Sequence, residues 1–507
     1  MDDRNRRIYT PRGNISIWRS LGFGVTDMLG GGFVAIVGAW LLFFYTTYAG
    51  LTATEGASIL ALAKFLDAFT SLIMGNLTDE LWRTKIGRRF GRRHFFLLIG
   101  IPLTLEFSLI WIGGMTYWYY LFSYLLFEII VAMITIPWET LPNEMTTDYV
   151  KRTKLSSTRL VISGTATFLA TFIPGQLFRV LGQNSALPFF INGLLFAIIF
   201  SICVAISWGT TWERFIDERE GARLRAGEEK FTLKNAVNDY FSTLKIKSFR
   251  QHLLIYLCSF TAMDTWSAVF VYFIVSDLHK TTTLAANIQS LSLFGIPITI
   301  LLGWLFTKTT PRKLFFASYT LIIISNFTWL AIWKLGLEDT LVLLIIAGLI
   351  YQFGKSGLTF IPWNLFPFIP DLDELVTGKK RAGVFAAVMV FVRKSTVAVA
   401  TFIVGILLDA SGYVKGQINQ SVSSQNMIGG ILVFGVSILI LISLIIAMRF
   451  KLDQKSHKII IDEIKRLNDG GNMLDATDKT KDTVKELTGI DYSSIPEWNK
   501  TNISNSK

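Results

Sequence analysis

The chain has 507 residues, of which 51% are hydrophobic and 17% charged, and it carries a net charge of +12. A soluble domain has about a quarter of its residues charged. The sparse charge and long apolar runs exclude a soluble globular enzyme, a disordered chain and a disulfide-stapled secreted domain, and leave an all-α polytopic membrane protein.

A helix needs about 20 apolar residues to cross the hydrocarbon layer. Twelve stretches qualify, at approximately 21–48, 55–78, 95–114, 117–141, 158–181, 187–208, 252–276, 284–306, 314–335, 340–366, 383–409 and 427–449. The first is preceded by twenty residues and lacks a small-residue cleavage site, so it is not a cleaved signal peptide. The chain then divides into an N-terminal segment 1–20, a six-helix bundle 21–208, a polar central loop 209–251, a second six-helix bundle 252–449 and a tail 450–507. In the tail, Ser456 to Gly470 reads as a short amphipathic helix and the remainder as polar and flexible.

Lysine and arginine fix an orientation. They crowd the N-terminal segment (Arg4, Arg6, Arg7, Arg12, Arg19) and the loop after span 2 (Arg83, Lys85, Arg88, Arg89, Arg92, Arg93). The loops after spans 4, 8 and 10 are also basic, and the alternate loops are nearly bare. Both termini are therefore expected in the cytoplasm and the protein in the plasma membrane. Because the basic runs alternate with spans, they mark topology, and no nucleic-acid partner is expected.

The two halves echo each other. Ile136-Pro137-Trp138-Glu139 near the end of span 4 recurs as Ile361-Pro362-Trp363-Asn364 in span 10, and Arg92-Arg93-His94-Phe95-Phe96 at the start of span 3 as Arg312-Lys313-Leu314-Phe315-Phe316 at span 9. A duplicated six-plus-six design places the binding site between the halves near the midplane, exposed to each side in turn.

An ionisable side chain costs about 2.5–3.5 kcal/mol at a helix centre, so such residues usually face a cavity and have a function. The acids are Asp27, Asp67, Glu106, Glu128 and Asp264; the bases are Lys64, Arg159, Lys355, Arg393 and Lys394. Lys64, Asp67 and Ser71 share one face of span 2. A carboxylate beside an ammonium there can answer to a proton or cation, and an ordinary structural ion pair is the alternative. Arg159, Arg393 and Lys394 carry donors and no acceptors, so if they meet in one cavity the cargo is anionic or rich in acceptors. Trp138, Trp266 and Trp363 are candidates to stack on a sugar ring. Cys203 and Cys258 lie in apolar runs and read as inert. Gly354-Lys355-Ser356 imitates the end of a phosphate loop, but Leu349 stands where the loop needs glycine, and the segment is a span. No cofactor and no metal cluster are expected, and no catalytic constellation is visible.

These residues resemble the glycoside–pentoside–hexuronide:cation symporters of the major facilitator superfamily, the family of the melibiose carrier. The likeness rests on Phe43-Phe44-Tyr45-Thr46, Lys64-Phe65-Leu66-Asp67-Ala68, Gly87-Arg88-Arg89, Ile136-Pro137-Trp138, Glu144-Met145-Thr146, Arg152 to Arg159, Thr377 to Gly383 and Lys394, and it runs from about residue 20 to 450. The resemblance implies Asp67 as the cation or proton carboxylate with Lys64 as its partner, and Arg159 and Lys394 as sugar contacts. Trp138 lies next to a family aromatic position. Three departures matter. Ser71 replaces a second acid, which favours H+ over Na+ as the coupling ion. Gly30-Gly31, with Asp27 nearby, replaces a polar pair, and Thr135 stands for an acid that binds sugar hydroxyls. Asp264, Arg393 and Trp363 complete the candidate substrate set. The expectation is a cation-coupled symporter of a glycoside, in particular an acidic hexuronide or oligosaccharide, working as a monomer in the bilayer. A lysolipid or other amphiphile carrier of the same fold, or a non-transporting sugar sensor, is the alternative.

Overall fold

The computed structural model describes residues 15–146, 148–214, 240–379 and 381–495. The basic N-terminal segment, most of the central loop, Lys380 of the Thr377–Gly383 motif and the last tail residues lie outside the described residues. Among the described residues, twelve helices are long and apolar enough to cross a membrane: α1 (Ile17–Thr47), α2 (Ala53–Arg83), α3 (His94–Trp111), α4 (Tyr117–Met145), α5 (Val150–Leu181), α6 (Leu187–Thr210), α7 (Lys247–Asp277), α8 (Thr282–Lys308), α9 (Pro311–Leu335), α10 (Leu341–Thr377), α11 (Ala382–Ala410) and α12 (Val422–Arg449). Each agrees in order with an expected span, and several run a turn or more longer because their ends are capped. Ser16, Thr52, Thr116, Asp148, Thr281 and Ser421 each accept a backbone N–H of the first turn, which relieves orphan donors that an apolar run cannot satisfy.

Within the first half, α2 packs on α4 and α3 on α6; within the second, α9 packs on α10 and α7 on α12. Aromatic side chains fill the first half, with Phe44, Trp111 and Phe189 in mutual contact and Trp40 against Phe178. Exposed apolar side chains such as Phe65, Phe69, Ile73 and Leu77 recur at one turn along α2, as a lipid-facing stripe requires.

The halves meet most tightly along α2–α11 and α5–α8. Many of these contacts lie at the face opposite the chain ends. Asp409 at the end of α11 accepts the N–H groups of Ala53 and Thr54 at 3.0 and 2.7 Å, so a carboxylate from one half caps a helix of the other. Thr46 bonds the Tyr272 hydroxyl at 2.7 Å, and Gln183 accepts from Thr282 N at 3.0 Å. Gly405 is needed for this closure, since a Cβ there would lie 2.4 Å from Ala57 Cβ and 2.6 Å from the Ala53 carbonyl oxygen. This face is sealed.

The amphipathic helix expected at Ser456 to Gly470 is present, and the remainder expected to be flexible holds a second helix. Two helices, α13 (Gln454–Asn468) and α14 (Asp478–Thr488), fold back on the terminal face. The Ser248 hydroxyl donates to the Leu487 carbonyl at 2.7 Å, and the His457 ring meets Asp371 at 2.7 Å. Apolar residues Ile460, Ile464, Val484 and Leu487 are buried in this contact, which is enough to hold a mostly charged segment in place.

Candidate functional site

The seam between α2 and α11 carries the central ion pair. The Lys394 ammonium lies 2.9 Å from Asp67 Oδ2 and 2.8 Å from Ser71 Oγ, and the Ser71 hydroxyl donates to Asp67 Oδ1 at 3.2 Å. Small residues let the two helices approach, and the charges then face each other across the halves with modest exposure, 21% for Lys394 and 16% for Asp67.

Lys64 is not the hydrogen-bonded partner of Asp67, which corrects the pairing expected from their shared helix face. Its ammonium turns to α4 and meets Glu128 at 2.6 Å, while the Tyr124 hydroxyl donates to the same carboxylate oxygen at 2.8 Å. Glu128 is 2% exposed. A carboxylate so buried requires a counter-ion, and Asp67 already has one in Lys394. Lys64 nevertheless lies close enough to Asp67 and Asp264 to interact with their charges.

On the first half, Arg159 of α5 bridges two acids, Asp27 at 3.2 Å and Glu139 at 2.6 Å. Its guanidinium lies over the Trp138 ring, 4.6 Å from the centroid. Trp138 itself is fully buried. Its indole N–H donates to the Phe23 carbonyl at 2.9 Å, and Phe23 stacks on it at 5.0 Å. A ring covered in this way is not a platform for a sugar in this state; Trp138 positions Arg159. The Gly30-Gly31 departure has a steric cause, since a Cβ at Gly31 would lie 2.3 Å from Ser163 Oγ where α5 crosses α1. The Thr135 hydroxyl donates to the Val131 carbonyl at 2.8 Å and keeps acceptor capacity only.

On the second half, Arg393 of α11 reaches Asp264 of α7 at 2.5 Å and lies over Phe260. Trp363 is 45% exposed and packs edge-on against Tyr256, which faces the same Arg393. Of the paired tryptophans in the repeat, then, only Trp363 presents an accessible ring. Trp266 stacks face to face with Tyr351 at 3.7 Å.

Most of the expected site residues thus fall into four charged groups around the boundary between halves: Asp27–Arg159 with Trp138, Asp67–Ser71–Lys394, Asp264–Arg393 and Lys64–Glu128. Glu128 and Glu139 complete them and were absent from the expected set. Glu128 was visible as an acid within a span, one turn after Tyr124. Glu139 sat in the Pro-Trp-Glu motif, and only the cross-chain approach of Arg159 reveals its role. Four of the five intramembrane bases, Lys64, Arg159, Arg393 and Lys394, are therefore paired with acids.

Residues 22–454 match the model of a family described as MFS/sugar transport protein. A sulfoquinovose importer of Salmonella typhimurium, named as putative, is 24% identical over 91% of this chain and 96% of its own length. The glucuronide carrier protein homolog of Escherichia coli is 23% identical over 79% and 85%. Among solved structures, a D-xylose–proton symporter superposes with a TM-score of 0.55 at 14% identity, covering 87% of this chain and 97% of that one.

Proposed function

Because the chain belongs to the MFS/sugar transport protein family, we propose that it is a proton-coupled symporter of acidic glycosides that works by alternating access. It is a membrane sugar transporter and not an enzyme. Proton coupling is argued from the Asp67–Lys394 bridge, and an acidic sugar from the intramembrane bases and from the names of two relatives.

That bridge joins the halves through two opposite charges of modest exposure. Removing one partner of such a pair leaves the other uncompensated, at a cost of about 3–5 kcal/mol. A proton on Asp67 alone strands Lys394, and a sugar oxygen on Lys394 alone strands Asp67. A proton and an acidic sugar arriving together replace the bridge with two satisfied groups. Each ligand therefore favours binding of the other, which is the thermodynamic requirement for symport. Ser71 supplies a neutral oxygen where a hard cation would gain from a second carboxylate, and this supports H+ over Na+. Two of the relatives bear the names of sugars with an anionic group, a sulfonate and a carboxylate.

With the basic loops and termini in the cytoplasm of a plasma-membrane protein, the sealed face is external and the site opens inward. The chain carries both bundles and the complete charge set, which supports function as a monomer. Uptake into proteoliposomes tests the reading. An imposed inward proton gradient is expected to drive accumulation of a labelled glucuronide above equilibrium. Uptake that ignores the gradient for acidic and neutral glycosides alike refutes it.

A further inference from the structure

Among the central cations, Lys64, Arg159, Arg393 and Lys394 each lie within 3.2 Å of a carboxylate. Lys355 of α10 differs. Its side chain makes no hydrogen bond or ion pair among the described residues, and it lies well inside the span. The carboxylate whose charge reaches it is Asp264, which Arg393 already holds at 2.5 Å. Arg393 in turn buries its second terminal nitrogen, Nη1, without an acceptor. Trp266, two residues from Asp264 on α7, is 2% exposed and buries its indole N–H without an acceptor. Its ring stacks on Tyr351, one turn before Lys355 on α10.

Lys, Arg and Trp side chains donate and do not accept. The second half therefore gathers unmatched donors and two bases, Lys355 and Arg393, around a single, already engaged carboxylate. The first half has the opposite imbalance, two acids on Arg159. Unsatisfied buried donors are costly, and what this region lacks is an anion with several acceptor oxygens.

We propose that Lys355, assisted by Arg393, forms an anion subsite on the second half that receives the carboxylate or sulfonate of the sugar. Lys355 is then the determinant of charge selectivity, and the charge imbalance orients the substrate. The acidic group turns to α7–α10–α11, and the hydroxyl-rich end turns to Asp27 and Glu139, whose oxygens accept from sugar hydroxyls. The inference rests on the acidic-glycoside reading above, but it concerns a different set of residues from the coupling bridge.

The test uses the full-length purified protein and the K355Q and K355R variants, with 4-nitrophenyl glucuronide and 4-nitrophenyl glucoside as a matched pair differing in one carboxylate. Binding is followed by thermal shift and transport by proteoliposome uptake. Replacing a charged donor by a neutral one is expected to weaken glucuronide binding about ten- to a hundredfold. K355R is expected to retain most of the affinity, and glucoside handling to stay within about twofold in both variants. Equal loss for both glycosides, or unchanged glucuronide affinity in K355Q, overturns the subsite. The two readings fail differently. Lys355-dependent glucuronide binding without gradient-driven uptake leaves the subsite standing and removes the coupling. Gradient-driven glucuronide uptake indifferent to K355Q does the reverse. A wild-type protein that neither binds nor moves the glucuronide removes both.

Discussion

Neutralising Asp67 is the most informative perturbation. D67N imitates a permanently protonated carboxyl and deprives Lys394 of a partner at 2.9 Å. At that distance and an effective dielectric constant near 20, the gross attraction is about 6 kcal/mol. Desolvation opposes it, the groups are partly exposed, and Lys394 keeps the Ser71 hydroxyl at 2.8 Å after the change. A coupling energy of about 2–3 kcal/mol in the D67N, K394Q and D67N/K394Q cycle is therefore expected. In transport, D67N should lose at least about tenfold in proton-driven accumulation, which corresponds to 1.4 kcal/mol or more. It should still catalyse exchange of sugar across the membrane at equal pH, because an uncoupled carrier can cross loaded in both directions. Accumulation and counterflow in proteoliposomes separate the two. Undiminished accumulation by D67N, or single-variant effects that add with no coupling, refutes the reasoning.

Other outcomes follow from the packing. W138F keeps the stacked ring and loses the N–H bond to Phe23, so the melting temperature should fall by a few degrees, for a loss of about 1 kcal/mol, while KM for glycosides stays within twofold; a large KM rise with unaltered melting would make Trp138 a sugar contact after all. G405V drives a methyl into Ala57 and the Ala53 carbonyl and should open the sealed face, so a cysteine at position 54, in a chain lacking Cys203 and Cys258, should react several-fold faster with a membrane-impermeant maleimide, and an unaltered rate would contradict the closure. Glu213, beyond the end of α6, caps α3 by accepting the N–H groups of Arg92, Arg93 and His94 at 2.6, 2.9 and 3.1 Å. Burial pushes its carboxyl up, but the hydrogen bonds of His94 and the backbone N–H groups outweigh this and hold it below the usual value of 4.5. Its contribution is full above about pH 4.5, declines below that and vanishes once pH has fallen through the lower folded-state value. E213Q should cost about 1–3 kcal/mol at neutral pH and flatten the acid limb of a melting-temperature profile, whereas an unchanged limb would exclude Glu213 as its source.

Much of this was legible in the sequence. Apolar run length gave the twelve spans, because a bilayer leaves a helix no other way to satisfy its backbone. The recurring Ile-Pro-Trp segments and the basic openings that end in Phe-Phe, at 92–96 and 312–316, pointed to the duplication. Intramembrane charges marked the helices that carry the ion pairs, since their cost demands a partner or a cavity. Pairing was the part that could not be read. Lys64 and Asp67 share a helix face, yet each turns to an acid or base more than sixty residues away, Glu128 or Lys394. Trp138 and Trp363 occupy equivalent places in the repeat, yet one is sealed by Phe23 and Arg159 and the other is open. Helical periodicity sets direction along one segment and is silent about which helix lies across the gap. In the tail the helix at Ser456 to Gly470 was legible and the one at Asp478–Thr488 was not, for a related reason: a few apolar side chains among many charges, Val484 and Leu487 among them, are buried once a matching surface exists.

The proposed coupling is one exchange, in which a proton and an acidic sugar together displace Lys394 from Asp67. Calorimetry of glucuronide binding, repeated in buffers of different ionisation enthalpy, counts the protons taken up per sugar bound. Uptake of about one proton per sugar by the wild-type protein near pH 7.5, abolished in D67N, is the expected result. Sugar binding with no proton uptake, or uptake that persists in D67N, would contradict it.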